Sequence, residues 1–193
     1  MSTHSNSTRR LQNHRVPLPP SQVELTAYHE AGHAVAYVLT GREVSQVSLG
    51  VNPGDGQCDS VPHAHTLPDP VPPDHKRRVW ENAITVCLAG PVAEMMFLGV
   101  EDDLEGVALS DWDFQEVQYA LGQLGNDPLE GKGSGLELAL WFRWAETVDL
   151  LGEPPHWHAV TALARALRKR RSLTGQEVHA IIAKAFARRG ARR

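Results

Sequence analysis

Hydrophobic residues become regularly spaced only after Ser21. From Val23 to Leu39, bulky apolar residues recur at the spacing of one helical face with small alanines between them, which predicts a well-buried helix. Gly41 is expected to end this helix, because glycine readily adopts the left-handed conformation that closes many helices. Residues 1–20 are polar, contain prolines and show no apolar period, which predicts a disordered leader. One folded domain over residues 21–190 is therefore expected.

After the first helix, the pattern predicts one short strand followed by helices. Residues 44–51 alternate between apolar and polar side chains, as in a half-buried strand. Five prolines over residues 62–73 exclude a helix or a central strand there. Helical spacing returns in a helix that starts near Asp74 and has a joint at Gly90-Pro91, in one that starts at Ser110 or Asp111, and over residues 136–150, 157–168 and 176–186. The expected fold class is mainly α (α+β), with a small β element after the first helix.

Composition is typical of a single globular domain. The chain has 193 residues, 41% of them hydrophobic, which is enough for one domain with a core. Two cysteines, Cys58 and Cys87, are too few for a disulfide framework and favour a reducing compartment. The N-terminus lacks the apolar stretch of a signal peptide, and the longest apolar run, residues 83–100, is interrupted by glycine, proline and glutamate. We therefore expect a cytoplasmic protein that does not bind a membrane.

Charge is segregated along the chain although the net charge is only -4. Between Glu94 and Glu153 acidic residues dominate. From Arg165 onward the chain contains ten Lys or Arg residues and only one acidic residue, Glu177. A basic tail of this kind would suit a nucleic-acid-associated protein, but a solvated helix face is the commoner explanation of such a charge run. Nucleic acid is therefore not an expected partner.

The candidate chemistry lies in the first predicted helix, in the motif His29-Glu30-Ala31-Gly32-His33. Histidines four residues apart project from one helical face and can bind a single metal ion. Zinc fits imidazole and carboxylate ligands and has no redox chemistry of its own. Glu30 is placed to take a proton from zinc-bound water as a general base, which is the chemistry of a metallopeptidase.

A catalytic zinc ion needs a third protein ligand and leaves one position for water. Asp113 is the preferred candidate because it lies in step with Phe114 and Val117 on the apolar face of its predicted helix. Asp111 is the fallback, although an aspartate at a helix start is equally a cap. Glu94 is a further candidate, either as a ligand itself or as a hydrogen-bond partner that orients a ligand.

Four separated segments resemble the peptidase domain of the FtsH family of zinc metalloproteases. Residues 27–35 are similar to its metal-binding helix, and Gly56 followed by Pro62 is similar to the strand after that helix. Residues 88–94 are similar to its Gly-x-x-Ala-Glu helix, and residues 173–178 are similar to its closing Leu-x-Gly-x-Glu stretch. The resemblance covers about residues 23–186 and implies a zincin-like helical peptidase domain that binds Zn²⁺. It also implies a third zinc ligand that is an aspartate opening a later helix. The residues before Asp111 match the family pattern better, whereas the residues after Asp113 match it better.

The chain departs from that family in having no GxxxxGK[ST] phosphate loop, so we expect no ATP-driven unfolding by this chain alone. The expected function is that of a zinc-dependent metalloendopeptidase acting on polypeptides. A separate unfoldase or adaptor is a possible further partner, and the chain could form a homo-oligomer. The alternative is a catalytically weak or inactive metallopeptidase-like module with a regulatory or binding role. The intact Glu30 argues against this alternative, because a structural zinc site has no use for a base.

Overall fold

Six helices and three short strands make up the part of the chain that the computed structural model describes, which is residues 20–52, 56–60, 73–100, 111–124 and 134–187. The elements are α1 (Gln22–Leu39), β1 (Val44–Leu49), β2 (Gly56–Ser60), α2 (Pro73–Leu98), α3 (Asp111–Gln123), α4 (Ser134–Gly152), α5 (Pro154–Arg170), β3 (Ser172–Thr174) and α6 (Gly175–Ala187). The fold is mainly α with one small antiparallel sheet, as predicted. The predicted leader, apart from Pro20, lies outside the described residues.

Helix α1 is the central element of the fold. Its N-terminus is capped by Ser21, whose side-chain oxygen accepts a hydrogen bond from the backbone N–H of Glu24 at 3.3 Å. Its C-terminus is closed by Gly41 at φ 76°, which confirms the expected glycine stop. The middle of the helix is almost fully buried against α2, α5 and the sheet. A Cβ added at Gly32 would lie 2.2 Å from the carbonyl oxygen of Ala89, so α1 and α2 are in contact at their backbones.

The three-stranded sheet covers one side of α1 and has the order β2-β1-β3. Strand β1 ends at Leu49 and not at residue 51, and a bulge between Val44 and Gln46 interrupts its alternation, so that two exposed residues separate buried Val44 from buried Val47. Strand β3 was not predicted, because its three residues are too few for a periodic signal. Leu173, at its centre, is fully buried opposite Val47.

Helix α2 runs without interruption through Gly90 and Pro91, so the predicted joint is wrong. Proline removes only one helical hydrogen bond, the one to the carbonyl of Cys87. The residues on either side of this pair, Ala89 and Val92, are fully buried. Packing against α1 therefore holds the helix through the defect.

The buried face of α3 differs by one position from the predicted face. Asp113, Val117, Ala120 and Leu121 are buried, whereas Phe114 is 39% exposed. Asp113 and Val117 lie one helical turn apart, and this pair faces α2, which turns Phe114 outward. A capping box begins α6: the backbone N–H of Thr174 donates to the Glu177 carboxylate at 2.9 Å, and that of Glu177 donates to the Thr174 hydroxyl at 3.4 Å.

One described helix segment, Asp74–Leu98, is long and apolar enough to span a membrane. Half of its most apolar 18-residue window is buried inside the fold, and a core helix of a soluble protein passes the same test. The expectation that the chain does not bind a membrane stays a prediction.

Cys58 and Cys87 are free thiols, in agreement with the absence of a disulfide framework.

Candidate metal centre

Three potential metal ligands converge where α1, α2 and α3 meet. His29 and His33 lie one turn apart on α1, and their Nε2 atoms are 2.9 Å apart. From the first turn of α3, the carboxylate oxygens of Asp113 lie 3.5 Å from the Nε2 atom of His29 and 3.7 Å from that of His33. The structure thus brings Asp113, the preferred third ligand, to the two histidines. Asp111 is the first residue of α3, but its side chain lies outside the described part of the structure.

The other ring nitrogen of each histidine already has a hydrogen-bond partner. The Nδ1 atom of His33 lies 2.7 Å from the carbonyl oxygen of Val86, and that of His29 lies 2.8 Å from a carboxylate oxygen of Glu94. A carbonyl and a carboxylate oxygen accept hydrogen bonds, so each Nδ1 carries the hydrogen and donates it. In the neutral imidazoles this leaves a bare lone pair on both Nε2 atoms. Two lone pairs that face each other at 2.9 Å, with a carboxylate beside them, repel one another unless a proton or a metal ion lies between them.

The donor set fits a catalytic zinc ion. Ligands around a tetrahedral zinc ion lie about 3.3 Å from one another, given metal–ligand distances of about 2.0–2.1 Å. The three distances in the cluster, 2.9, 3.5 and 3.7 Å, bracket this value. Two histidines and one carboxylate leave a fourth position free, which is the pattern of catalytic and not of structural zinc sites. His29, His33 and Asp113 would therefore hold the ion.

Gly90 of α2 leaves room beside these donors. A Cβ at this position would lie 2.4 Å from the Nε2 atom of His33 and 2.8 Å from that of His29. No side chain fits there, so glycine keeps the space next to both donor atoms free. From the sequence alone, Gly90 was interpreted as part of a joint in the helix and as the glycine of the Gly-x-x-Ala-Glu stretch, and neither interpretation gave its role beside the donor atoms.

Glu94 supports the site from behind His29 and is not one of the three converging ligands. Its sequence position left two roles open, direct ligand or support, and the contact with His29 favours support. A carboxylate on the far nitrogen of a metal-binding histidine fixes the orientation of the ring and raises its basicity. The carbonyl of Val86 has the same role for His33. No sequence signal marks this second partner, because it is a backbone atom.

Without a metal ion, the two histidines differ strongly in proton affinity. Burial by itself lowers the pKa of His29, but hydrogen bonds to Asp113 and Glu94 and the nearby charge of Glu30 outweigh it and raise the pKa to about 10. Burial and the positive charge of His29 lower the pKa of His33 to about 4. The metal-free cluster therefore holds one extra proton, on His29, where the cation is needed.

Glu30 lies beside the candidate metal ligands and close to Gly56 of the sheet. Its side chain is buried, with only 5% of the residue exposed. Burial raises the pKa of this carboxyl to about 7; the charge of His29 lowers it, and the charges of Asp113 and Glu94 raise it. A carboxylate that titrates near neutral pH is suited to accept and return a proton during catalysis.

Comparison with known proteins adds no family assignment. A search against protein-family models and a search of curated proteins both found no match for this chain. The resemblance to the FtsH peptidase domain therefore rests on the four sequence segments, and it stays a prediction.

Proposed function

We propose that this chain is a zinc-dependent metalloendopeptidase that hydrolyses peptide bonds. The observation that carries the proposal is the placement of the Glu30 carboxylate beside a cluster of two histidines and one aspartate that leaves a fourth metal position free. A structural zinc site needs four protein ligands and no adjacent base, so this arrangement favours catalysis over a purely regulatory role. The motifs similar to the FtsH peptidase domain agree with the same chemistry.

Zinc, when bound by His29, His33 and Asp113, supplies a Lewis acid that lowers the pKa of water and polarises a peptide carbonyl. Glu30 takes the proton from the attacking water as a general base and returns it to the nitrogen of the leaving amine. Glu94 and the Val86 carbonyl keep the two imidazole rings in the tautomer that presents Nε2. The chain's own residues thus cover both ligand orientation and proton transfer.

The position of the sheet beside Glu30 favours a polypeptide substrate. Strand β2 is an edge strand within the described part of the fold, since the sheet order is β2-β1-β3. Its first residue, Gly56, lies against the Glu30 carboxylate. An extended peptide can pair with such an edge through its backbone. For this chain acting alone we expect flexible or unfolded polypeptides as substrates, and a separate unfoldase or adaptor for folded ones.

The proposal is tested by zinc content and by cleavage of casein, a flexible protein substrate. Wild type and Glu30→Gln are expected to contain equal zinc by elemental analysis, with turnover lost by at least about 100-fold in the variant, because only the base is removed. Glu43→Gln is the matched control, since Glu43 is exposed just beyond α1. Zinc in both proteins with equal, negligible turnover would refute the peptidase proposal and favour a metal-bound binding module.

A further inference from the structure

The Glu30 carboxylate is positioned by packing. Glu30 is only 5% exposed, so neighbouring residues enclose its side chain. On the sheet side the carboxylate lies against Gly56, and the methyl group of Thr26 borders the same space. The conformation of the candidate base therefore depends on the shape of this contact.

The contact leaves no room for a side chain at position 56. A Cβ added at Gly56 would lie 2.3 Å from the Oε1 atom of Glu30, 2.8 Å from its Cδ atom and 2.7 Å from the Cγ2 atom of Thr26. Ordinary contacts between such atoms are about 3.5 Å, so the carboxylate would have to move by about 1 Å. All three atoms belong to side chains, which move more easily than backbone.

Two other glycines near the site differ from Gly56 in this respect. A Cβ at Gly32 would meet the backbone of α2 at Ala89, and a Cβ at Gly90 would meet the donor atoms of the histidines. Of these three glycines, Gly56 alone faces the base and neither the candidate ligands nor the helix backbone. Its backbone does not have the positive φ found at Gly41 and Gly99, so alanine is compatible with its conformation.

We propose that Gly56 is a positioning residue that holds the Glu30 carboxylate toward the metal ligands. Pairing of Gly56 with Leu49 fixes its distance from α1, because β1 is in turn paired with β3. The absence of a side chain then lets the backbone of β2 act as the wall against which Glu30 rests. The inference relies on the proposed function for Glu30, but the contact itself can be tested without it.

The first test is the crystal structure of Gly56→Ala compared with that of wild type, both with zinc. The inference predicts that the Glu30 carboxylate moves by about 1 Å while His29, His33 and Asp113 keep their positions and bind zinc equally. A carboxylate that stays in place, or a loss of zinc or of the fold in Gly56→Ala, would overturn it. This result does not depend on peptidase activity, so an inactive wild type would refute the proposed function alone.

The second test is kinetic and uses a fluorogenic peptide. Displacement of a reacting group by about 1 Å predicts a decrease in kcat of roughly 100-fold in Gly56→Ala, with KM within about twofold of wild type. Gly122→Ala is the matched control, because a Cβ there meets nothing within 4 Å. A kcat for Gly56→Ala equal to that of the control would overturn the inference.

Rescue distinguishes positioning from general disturbance. Glu30→Asp shortens the side chain by one methylene and removes the atoms that collide with the new methyl group. Adding Gly56→Ala to Glu30→Asp is therefore expected to change kcat by less than about threefold, far from the roughly 100-fold effect in wild type. Independent, multiplicative effects of the two substitutions would contradict the inference.

Discussion

Substitution of Gly90 by alanine has two effects of opposite sign. It favours the helix, but it places a methyl group against the candidate metal ligands. Alanine in a helix interior is ordinarily more favourable than glycine by about 1 kcal/mol. At position 90, however, the new Cβ would lie 2.4 Å from the Nε2 atom of His33 and 2.8 Å from that of His29. Relief of these contacts to about 3.5 Å requires shifts of about 1 Å in the imidazole rings.

Shifts of this size exceed what zinc coordination tolerates, since ligand distances in a good site vary by only about 0.2 Å. We expect zinc affinity to fall by at least about 100-fold, which corresponds to about 2.8 kcal/mol. The measurement is a competition titration with a chelator of known affinity, together with the midpoint of thermal unfolding of the metal-free protein. Gly122→Ala, in the open surroundings of α3, is expected to bind zinc like wild type.

Wild-type zinc affinity in Gly90→Ala, together with a higher unfolding temperature than that of wild type, would refute this prediction. Such a result would mean that position 90 behaves as an ordinary helical site. The space beside the two Nε2 atoms would then not depend on glycine.

Three further outcomes are expected. Glu94→Gln lowers zinc affinity by about 10-fold in the same chelator titration, because His29 loses a charged partner on Nδ1; unchanged affinity would rule out this support. The raised pKa of His29, about 10 against 6.5, means that the metal-free fold binds this proton more tightly than the unfolded chain. Its stabilisation is complete below about pH 6.5 and is lost as the pH rises towards 10, so the unfolding midpoint should fall over this window, an effect absent in His29→Ala. Gly32→Ala destabilises the fold by about 1–3 kcal/mol in urea unfolding, because its Cβ would meet the carbonyl oxygen of Ala89 at 2.2 Å; a neutral effect would contradict the close helix contact.

The local parts of the site could be predicted from the sequence. His29, Glu30 and His33 share one helix, so their spacing alone places two imidazoles on one face. Asp113 was preferred over Asp111 because it lies in step with Phe114 and Val117 on the predicted apolar face. In the structure, Asp113 and Val117 are buried. Phe114 was predicted on the same face but is 39% exposed, because an apolar residue at the edge of a helical face can point either way until its neighbours are known.

The parts that depend on distant contacts could not be predicted. Glu94 reaches His29 from another helix, and sequence position alone did not decide between ligand and support. The Val86 carbonyl is a backbone atom with no side-chain signal. Gly56 and Gly90 matter through space that they leave empty, which only the packing of β2 and α2 against α1 defines.

The central claim, that His29, His33 and Asp113 form a catalytic zinc site, is tested most directly by anomalous diffraction at the zinc edge from crystals of the zinc-loaded protein. The expected result is one zinc peak at about 2.0–2.2 Å from the Nε2 atoms of both histidines and from an Asp113 oxygen, with the fourth position open to solvent. A zinc ion bound by four protein side chains, or one bound through Asp111 or Glu94 in place of Asp113, would contradict it.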